Sequence, residues 1–443
     1  MAKLALMGGK PILEKWDEPL FHWPIVNDAM IAAQTKVLLD GNMSGTNISR
    51  QFEAEFAKWQ GRKYALTHNN GTSALTAAMY GVGLGRGDEM ICPSITYWAS
   101  CTSALTLGAT VVFCDIDPET LQIDPASFEA HITPRTKAVM VVHYMSHPAP
   151  MDEIMAIARR HGIKVIEDVS HAQGGHYKGR MLGTFGDVAA MSLMSGKSFC
   201  IGEGGILVTD DLEVYRRAIR LGHYDRIIDV FSDEEMAETK NLPFGGLKNR
   251  MHQVSSAIGL EQLKKYESEI AEIDRAMKYY WNGIADIEGI RKIYPKDPGS
   301  DKAGWYASRC HYDPAAFKGV SNVTFSKALN AEVGAPTFFY GCNMPLHKSS
   351  LFFDVDIYGD GKPTARAFLP EGVDPRALTG DLPVADGINA VLLADPWFKH
   401  DDHARIDPFI EAVRKVAANC EELLSVNDTT PVLGGAALSV RKK

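Results

Sequence analysis

Two residues define the chemistry to look for. Asp168 lies just beyond the apolar run Ile163–Ile166, with Glu167 between, and Lys197 follows a second apolar run, Val188–Leu193. They stand 29 residues apart, room for a strand and its connections. A lysine becomes a Schiff-base nucleophile when desolvation or a neighbouring cation lowers its pKa. A carboxylate set against a pyridine nitrogen keeps that nitrogen protonated, so that the ring can take up the electrons of a carbanion. An acid and a lysine at strand ends are the pair that pyridoxal 5'-phosphate requires. Taken singly, each reads as an ordinary loop lysine or a helix-capping acid; the pairing shifts the balance. Glu167 points to the opposite face of its strand and has no catalytic role in this reading.

Such a cofactor needs a phosphate cradle and a ring neighbour. Gly71-Thr72-Ser73 opens a helix after a short strand, so backbone N–H groups and the positive helix end face an anion. Ser192, at the end of the strand before Lys197, can add a hydroxyl. Thr96-Tyr97-Trp98 opens the next βα connection, and an aromatic there can stack on a pyridine ring. Tyr97 is the choice, which turns Trp98 toward the core. His171, three residues after Asp168, could bond a ring hydroxyl or serve as a polar loop residue. His143 and His147 are four apart, but Ser146 and Pro148 deny them a helix, so a metal pair is not expected.

These residues need a sheet to bring them together. Short apolar strands at Tyr64–Thr67, Met90–Pro93, Thr110–Cys114, Ala138–Val142 and Lys164–Ile166 alternate with helical stretches. That alternation predicts an α/β fold, a mainly parallel sheet covered on both faces, with ligands at the carboxyl ends of the strands. Gly81-Val-Gly-Leu-Gly-Arg-Gly87 imitates a dinucleotide loop, but it ends a helix and precedes a strand, the reverse of the required order. Phe52, Phe56 and Trp59 recur at helical spacing and read as core. Residues 1–25 form an irregular arm, lying across a partner subunit or as a surface tail. Residues 26–269 read as the large cofactor-binding domain and 270–443 as a smaller α+β lobe. A long helix from Met251 to about Ile284 links them, with a kink expected near Glu269. Residues 222–247 are loop-rich, and Val323-Thr324 looks strand-like. Asp354–Gly380 is an active-site flap or a plain insertion.

Composition narrows the class. The chain has 443 residues, 45% hydrophobic and 23% charged, with a net charge of −9, which argues against nucleic acid as a partner. Seven scattered cysteines without a C-x-x-C fit a reducing cytoplasm. No apolar run approaches a membrane span, and MAKLALMGGKPI is too short and broken for a signal peptide.

The ordered set FEAEFAKWQGRKYALTHNNGTSAL, GRGDEMICPSITYWAS, FCDIDPETLQID, VVHYMSHPAPMDEI, VIEDVSHAQGG, GTFGDVAAMSLMSGKSFCIGEGGILVT and NRMHQVSSAIGLEQL resembles the DegT/StrS-like sugar aminotransferases. The match covers roughly residues 35–267 and resumes more weakly at YGCNMPLHKSSLF and DLPVADGINAVLLADPWF. The resemblance implies a fold type I, three-layer αβα architecture like that of aspartate aminotransferase. It implies that Lys197 is the Schiff-base lysine and that Asp168 pairs with the pyridine nitrogen. Thr72, Ser73 and Ser192 would bind phosphate, and Tyr97 would stack on the ring. It also implies a homodimer whose neighbour completes the pocket. Where the family commonly reads Gly-aromatic-Asn-aromatic-Arg, this chain has Gly246-Leu-Lys-Asn-Arg250, so Lys248 or Asn249 would reach the neighbour's phosphate. The family often has Gln where His171 stands and His at Gln173.

Family members with histidine in place of the lysine carry out dehydration, so Lys197 argues for transamination. The donor expected is glutamate or glutamine, and the acceptor a nucleotide-linked keto-sugar. Alternatives are a keto-cyclitol such as an inosose, or an aminohydroxybenzoate-synthase-like reaction. A non-catalytic regulator on the same fold is opposed by the intact Asp168–Lys197 pair. A diphosphate acceptor needs Arg or Lys partners, for which Arg309 and Lys348 are the candidates.

Overall fold

The computed structural model of the chain describes residues 3–434 except 238, 240, 241 and 243. Met1 and Ala2 of the arm, Pro243 of the loop-rich segment and residues 435–443 of the C-terminal lobe lie outside the described residues. Twelve strands form among those described: β1 (Tyr64–His68), β2 (Glu89–Pro93), β3 (Thr110–Cys114), β4 (Thr136–Val142), β5 (Lys164–Asp168), β6 (His176–Tyr177), β7 (Arg180–Met181), β8 (Val188–Ser192), β9 (Gly205–Thr209), β10 (Ile290–Lys292), β11 (Arg309–Tyr312) and β12 (Leu392–Ala394).

Seven of them make one sheet in the order β1-β9-β8-β5-β4-β2-β3. Its pairings from β3 through β2, β4 and β5 to β8 are parallel, and β9 runs antiparallel to both β8 and β1. Side chains alternate between two buried faces. Leu66, Met90, Val111, Met140, Ile166, Ala190 and Leu207 join a cluster with the helix Gly71–Gly81. Their neighbours Ala65, Ile91, Val112, Val139, Val165, Ala189 and Ile206 join a second cluster with the helices Asn47–Gln60 and Met151–His161. The strands read as unbroken apolar runs because helices cover both sides, which makes this a three-layer α/β architecture. Of the Phe52, Phe56, Trp59 stripe, the two phenylalanines are buried in the second cluster and Trp59 packs against it half-buried.

β3 is an edge strand, and Asp354–Gly380 covers it. Phe113 N–H donates to Thr379 Oγ1 at 3.2 Å, and Thr110 Oγ1 donates to the Ala365 carbonyl at 2.8 Å. Phe113 also meets Phe352 edge-on, with ring centroids 4.9 Å apart. Covering an edge in this way removes a template for unwanted strand pairing. The segment covers the sheet edge, and its residues do not line the cavity described below.

One uninterrupted helix, Gln253–Gly283, runs through Glu269 without the expected kink. Its C-terminal half enters a third cluster with Trp305, Tyr312, Phe325, Phe409 and Val413, beside the antiparallel sheet β10-β11-β12. Leu4 and Leu20 of the arm are fully buried in that cluster. Leu4 N–H donates to Glu422 and Ala5 N–H to Glu332, so the arm docks on its own chain. Val323 and Thr324, strand-like by composition, lie in the helix Asn322–Val333, whose first turn Ser321 caps through Thr324 N–H. Burial of this helix on nearly all sides overrides the β preference of branched residues.

Candidate active site

The parallel strands end along one edge of the sheet, and β9 starts there: Ser192 and His68 both pair with Gly205. A cavity of about 400 Å³ opens at that edge. It gathers Gly71, Thr72, Tyr97, Asp168, His171, Ser192 and Lys197, seven of the ten residues singled out from the sequence. Ser73, Lys248 and Asn249 do not line it.

Asp168 ends β5 and is 3% exposed. Ser100 Oγ donates to its Oδ2 at 2.8 Å, and Ser170 N–H donates to its Oδ1 at 3.0 Å. Each oxygen is thus held by one donor, which fixes the carboxylate plane. Glu167, one residue earlier, points the other way. It accepts from the N–H groups of Gly183, Phe185 and Gly186 at 2.7–2.8 Å and bonds His143 Nε2 at 3.1 Å. Burial alone would raise its pKa; His143, the Gly186 amide and the Arg62 charge hold it below the usual carboxylate value. That carboxylate organises the turn between β7 and β8.

Lys197 is 8% exposed, and its Nζ lies 4.2 Å over the Tyr306 ring. Its carbonyl oxygen accepts from Trp23 Nε1 at 2.8 Å. Gln173 Nε2 donates to the carbonyls of Ser170 and Ser192, and Gln173 Oε1 accepts from Ser198 Oγ. This one buried side chain therefore ties the loop after Asp168 to the segment carrying Lys197.

The helix Gly71–Gly81 begins at the cavity. Asn70 caps it: its Oδ1 accepts from Ser73 N–H at 2.8 Å, and its carbonyl accepts from Ala74 N–H. Of the N–H groups that the helix start leaves without an intrahelical partner, Ser73's is taken by the cap, and those of Gly71 and Thr72 have no partner among the described residues and face an anion. The Ser73 N–H, expected from the sequence to face the phosphate, is here engaged by its own cap. A Cβ on Gly71 would lie 2.6 Å from Ser192 Cβ, so glycine is what lets the helix start meet the end of β8.

Tyr97 lines the cavity, whereas Trp98 is 44% exposed rather than turned to the core. The reason is local: Trp98–Ser100 is a tight 3-10 turn, and it buries Ala99 and Ser100 instead. His171 lies between Tyr144 and Tyr306. Met145 N–H donates to its Nδ1 at 3.3 Å, so the neutral ring carries its proton on Nε2. Burial first, then the charges of Lys197 and Arg309, push its pKa well below the ordinary value. His171 is therefore a neutral N–H donor.

Asn249 is buried against Gly222; its N–H donates to the Gly222 carbonyl, and its own carbonyl accepts from Asn69 N–H at 2.7 Å. It braces the loop leading into Asn70. Lys248 is exposed beside Tyr224. Lys348 bonds Asp386 at 2.8 Å on the surface and is not in the cavity. Arg309 does line it, together with Tyr306, Ala307 and Asn343, a wall supplied from beyond residue 300. The sequence carried no signal for Tyr306, which stands in an irregular segment, and for Asn343 only its place in the weakly resembling stretch YGCNMPLHKSSLF. Among the described residues no group of three or more acidic, His or Cys side chains could hold a metal ion, and no helix is long and apolar enough to cross a membrane.

The oriented buried acid, the lysine under an aromatic ring and the two open amides of a helix start fit pyridoxal 5'-phosphate and define a cofactor-dependent aminotransferase. The chain belongs to the DegT/DnrJ/EryC1/StrS aminotransferase family, whose sequence profile matches residues 24–373. It is 30% identical over 435 residues to a putative L-glutamine:3-amino-2,3-dideoxy-scyllo-inosose aminotransferase of Streptomyces kanamyceticus, covering 95% of this chain and 98% of that one. It is 40% identical over 241 residues to a GDP-perosamine synthase of Caulobacter vibrioides, covering 54% of this chain and 62% of the other. Among solved structures it resembles DesI, crystallised with its TDP-sugar product, with a TM-score of 0.76 and 25% identity over 96% of this chain and 98% of that one. Pyridoxal 5'-phosphate is accordingly the cofactor.

Proposed function

We propose that this aminotransferase moves an amino group from glutamine or glutamate to a keto-cyclitol. The observation that carries the choice of acceptor is the charge of the cavity wall. Among the described residues lining it, Lys197 and Arg309 are the only cations, and Lys348 is bonded away to Asp386. A diphosphate needs several such partners, whereas a polyol ketone needs none. The inosose aminotransferase named above, similar over nearly its whole length, supports the same acceptor class. A nucleotide-linked keto-sugar is the second reading, supported by the similarity to the perosamine synthase and to DesI.

The roles follow from the chemistry of the side chains. When bound, the cofactor supplies an electron-poor ring that stabilises the negative charge left when a Cα proton departs. Asp168 keeps a proton on the pyridine nitrogen. The N–H groups of Gly71 and Thr72 and the hydroxyl of Ser192 bind the phosphate, and Tyr97 lies against the ring. Neutral His171 offers Nε2–H to the ring hydroxyl. Lys197 would hold the cofactor between turnovers, and its Nζ, freed by the donor, would serve as the base that takes the proton from the donor Cα and as the acid that gives it back. Tyr306 shields that amine from water.

A homodimer completes this reading. Ile31, Leu39, Ile228 and Phe244 are each more than half exposed, apolar area that a second copy would cover. Lys248, exposed where the family commonly has asparagine, would reach the neighbour's phosphate. All seven cysteines are free and buried, which supports a reducing cytoplasm.

Absorbance spectroscopy tests the assignment. The purified protein is expected to be yellow, borohydride to fix the cofactor on Lys197, and Lys197→Ala to lose both the fixation and the activity. Glutamine or glutamate should convert the pyridoxal to the pyridoxamine form, and a keto-cyclitol such as scyllo-inosose should reverse it. Absence of conversion with every amino donor would refute transamination. Reversal by a nucleotide-linked keto-sugar alone would select the second reading.

A further inference from the structure

Arg309 leads β11 and is 5% exposed. Its Nε donates to the Gly341 carbonyl at 2.6 Å, and its Nη1 donates to the carbonyls of Ala307 and Ser308 at 2.7 and 3.1 Å. Three of its five N–H bonds are thereby spent on holding the guanidinium still. The two on Nη2 have no acceptor, and no carboxylate pairs with the group, among the described residues. The Gly341 carbonyl that Arg309 grips lies two residues before Asn343. Asn343 Oδ1 accepts from the Tyr144 hydroxyl, which itself accepts from Asn343 N–H. That fixes the amide orientation and leaves the Asn343 Nδ2 hydrogens without a partner among the described residues. Both side chains line the cavity. They present immobilised donors that want oxygen acceptors and a negative charge.

We infer that Arg309 Nη2 and Asn343 Nδ2 form the subsite that binds the α-carboxylate of the amino donor. The inference rests on the transamination reading above. Of the two substrates that must share the cavity, a keto-cyclitol carries no charge, whereas an amino acid carries a carboxylate on the reacting carbon. Arg309 is also near the reacting end, since its charge, after burial and that of Lys197, depresses His171. A carboxylate held there decides which bond at Cα stands ready to break, so that a proton leaves and carbon dioxide does not. Arg309 is then a donor-specificity residue, and the cavity has no cation left over for a diphosphate.

The holoenzyme tests this with two isomeric donors. Glutamine has an α-carboxylate and a side-chain amide; isoglutamine has the two exchanged. Conversion of the pyridoxal to the pyridoxamine form is followed for each, and glutarate binding is measured by calorimetry as a readout independent of turnover. The wild type should favour glutamine over isoglutamine by about 100-fold in kcat/KM, the range for a desolvated charge-paired hydrogen bond. Arg309→Gln should lose most of that ratio by slowing glutamine alone, and should weaken glutarate. Asn343→Asp should raise KM for glutamine with little change for isoglutamine. Equal loss for both donors in Arg309→Gln would assign Arg309 to the scaffold and overturn the inference. Unchanged glutamine kinetics with a raised KM for a nucleotide-linked keto-sugar would overturn it in favour of a diphosphate site. If no donor converts the wild-type cofactor, the transamination reading itself fails, an outcome distinct from the other two.

Discussion

The indole of Trp23 donates to the carbonyl oxygen of Lys197 at 2.8 Å, across 174 residues of sequence. The N-terminal arm is therefore bonded to the backbone of Lys197, the proposed Schiff-base residue. Its ring also sits 6.1 Å from that of Trp397, which in turn donates to the Gly304 carbonyl. Trp23→Phe keeps the aromatic contact and removes only the hydrogen bond. It should cost about 1 kcal/mol of stability and shift the absorbance maximum of the bound cofactor, because the turn holding Lys197 loses one of its fixed points. A variant with wild-type stability and spectrum would show that the arm does not position the lysine.

Gly71→Ala tests the meeting of helix and strand. The added Cβ would lie 2.6–2.7 Å from Ser192 Cβ and Cα, and backbone cannot swing aside as a side-chain tip can. Overpacking of this kind costs roughly 2 kcal/mol, which as lost cofactor affinity is about thirtyfold. Dialysis against free pyridoxal phosphate, read by absorbance, measures it. An unchanged dissociation constant would remove the helix start from the phosphate site.

Adjacent acids should separate cleanly. Glu167→Gln places an amide against three backbone N–H donors and removes the partner of His143, which should cost about 3 kcal/mol. Its folded fraction should nevertheless keep the wild-type cofactor spectrum. Asp168→Asn retains the bond from Ser100 but cannot hold a proton on the pyridine nitrogen. Its kcat/KM should fall by about 100-fold or more, with a much smaller change in the urea midpoint. The reverse pattern would exchange the two roles.

Much of this site was legible because its chemistry stands at strand ends. Asp168, Ser192 and Gly71 each follow or meet a short apolar run, and such runs betray both the strand and the edge where ligands bind. Lys197 was found by its distance from Asp168. Farther along the chain the sequence said less: Arg309 stood out only as a cation for a diphosphate and Asn343 only within a weakly resembling stretch, while Tyr306 was hidden, because these segments are placed by the first and third hydrophobic clusters and not by any local pattern. Trp23 is hidden for the same reason. Trp98 stays exposed instead of turning to the core because the backbone there makes a 3-10 turn that buries Ala99 and Ser100. Val323-Thr324 misled because β-branched residues tolerate a helix that tertiary packing buries on nearly all sides.

Buried neutral histidines should make the protein acid-sensitive. Burial, with the Lys302 charge, lowers His147 to about 4; burial likewise lowers His223 to about 4, against a bond to the Thr67 carbonyl that raises it. Burial also pushes His68 and His171 well below the ordinary value. Unfolded histidine protonates near pH 6.5. Between that pH and about 4 the unfolded chain binds protons at His147 and His223 that the folded chain does not, so stability must fall as the pH falls. The slope is about 1.4 kcal/mol per pH unit for each such histidine. His176 works in the opposite direction, because its bond to Asp301 raises its pKa and favours the folded state in acid, but it is a single, partly exposed group. The net unfolding free energy should therefore drop steeply from pH 7 to pH 5. His147→Gln, which cannot take up a proton, should reduce that slope by about 1.4 kcal/mol per pH unit. Urea unfolding at half-unit pH intervals measures both. A flat profile from pH 7 to pH 5 would mean that these imidazoles are reached by water or paired with acids in the folded protein.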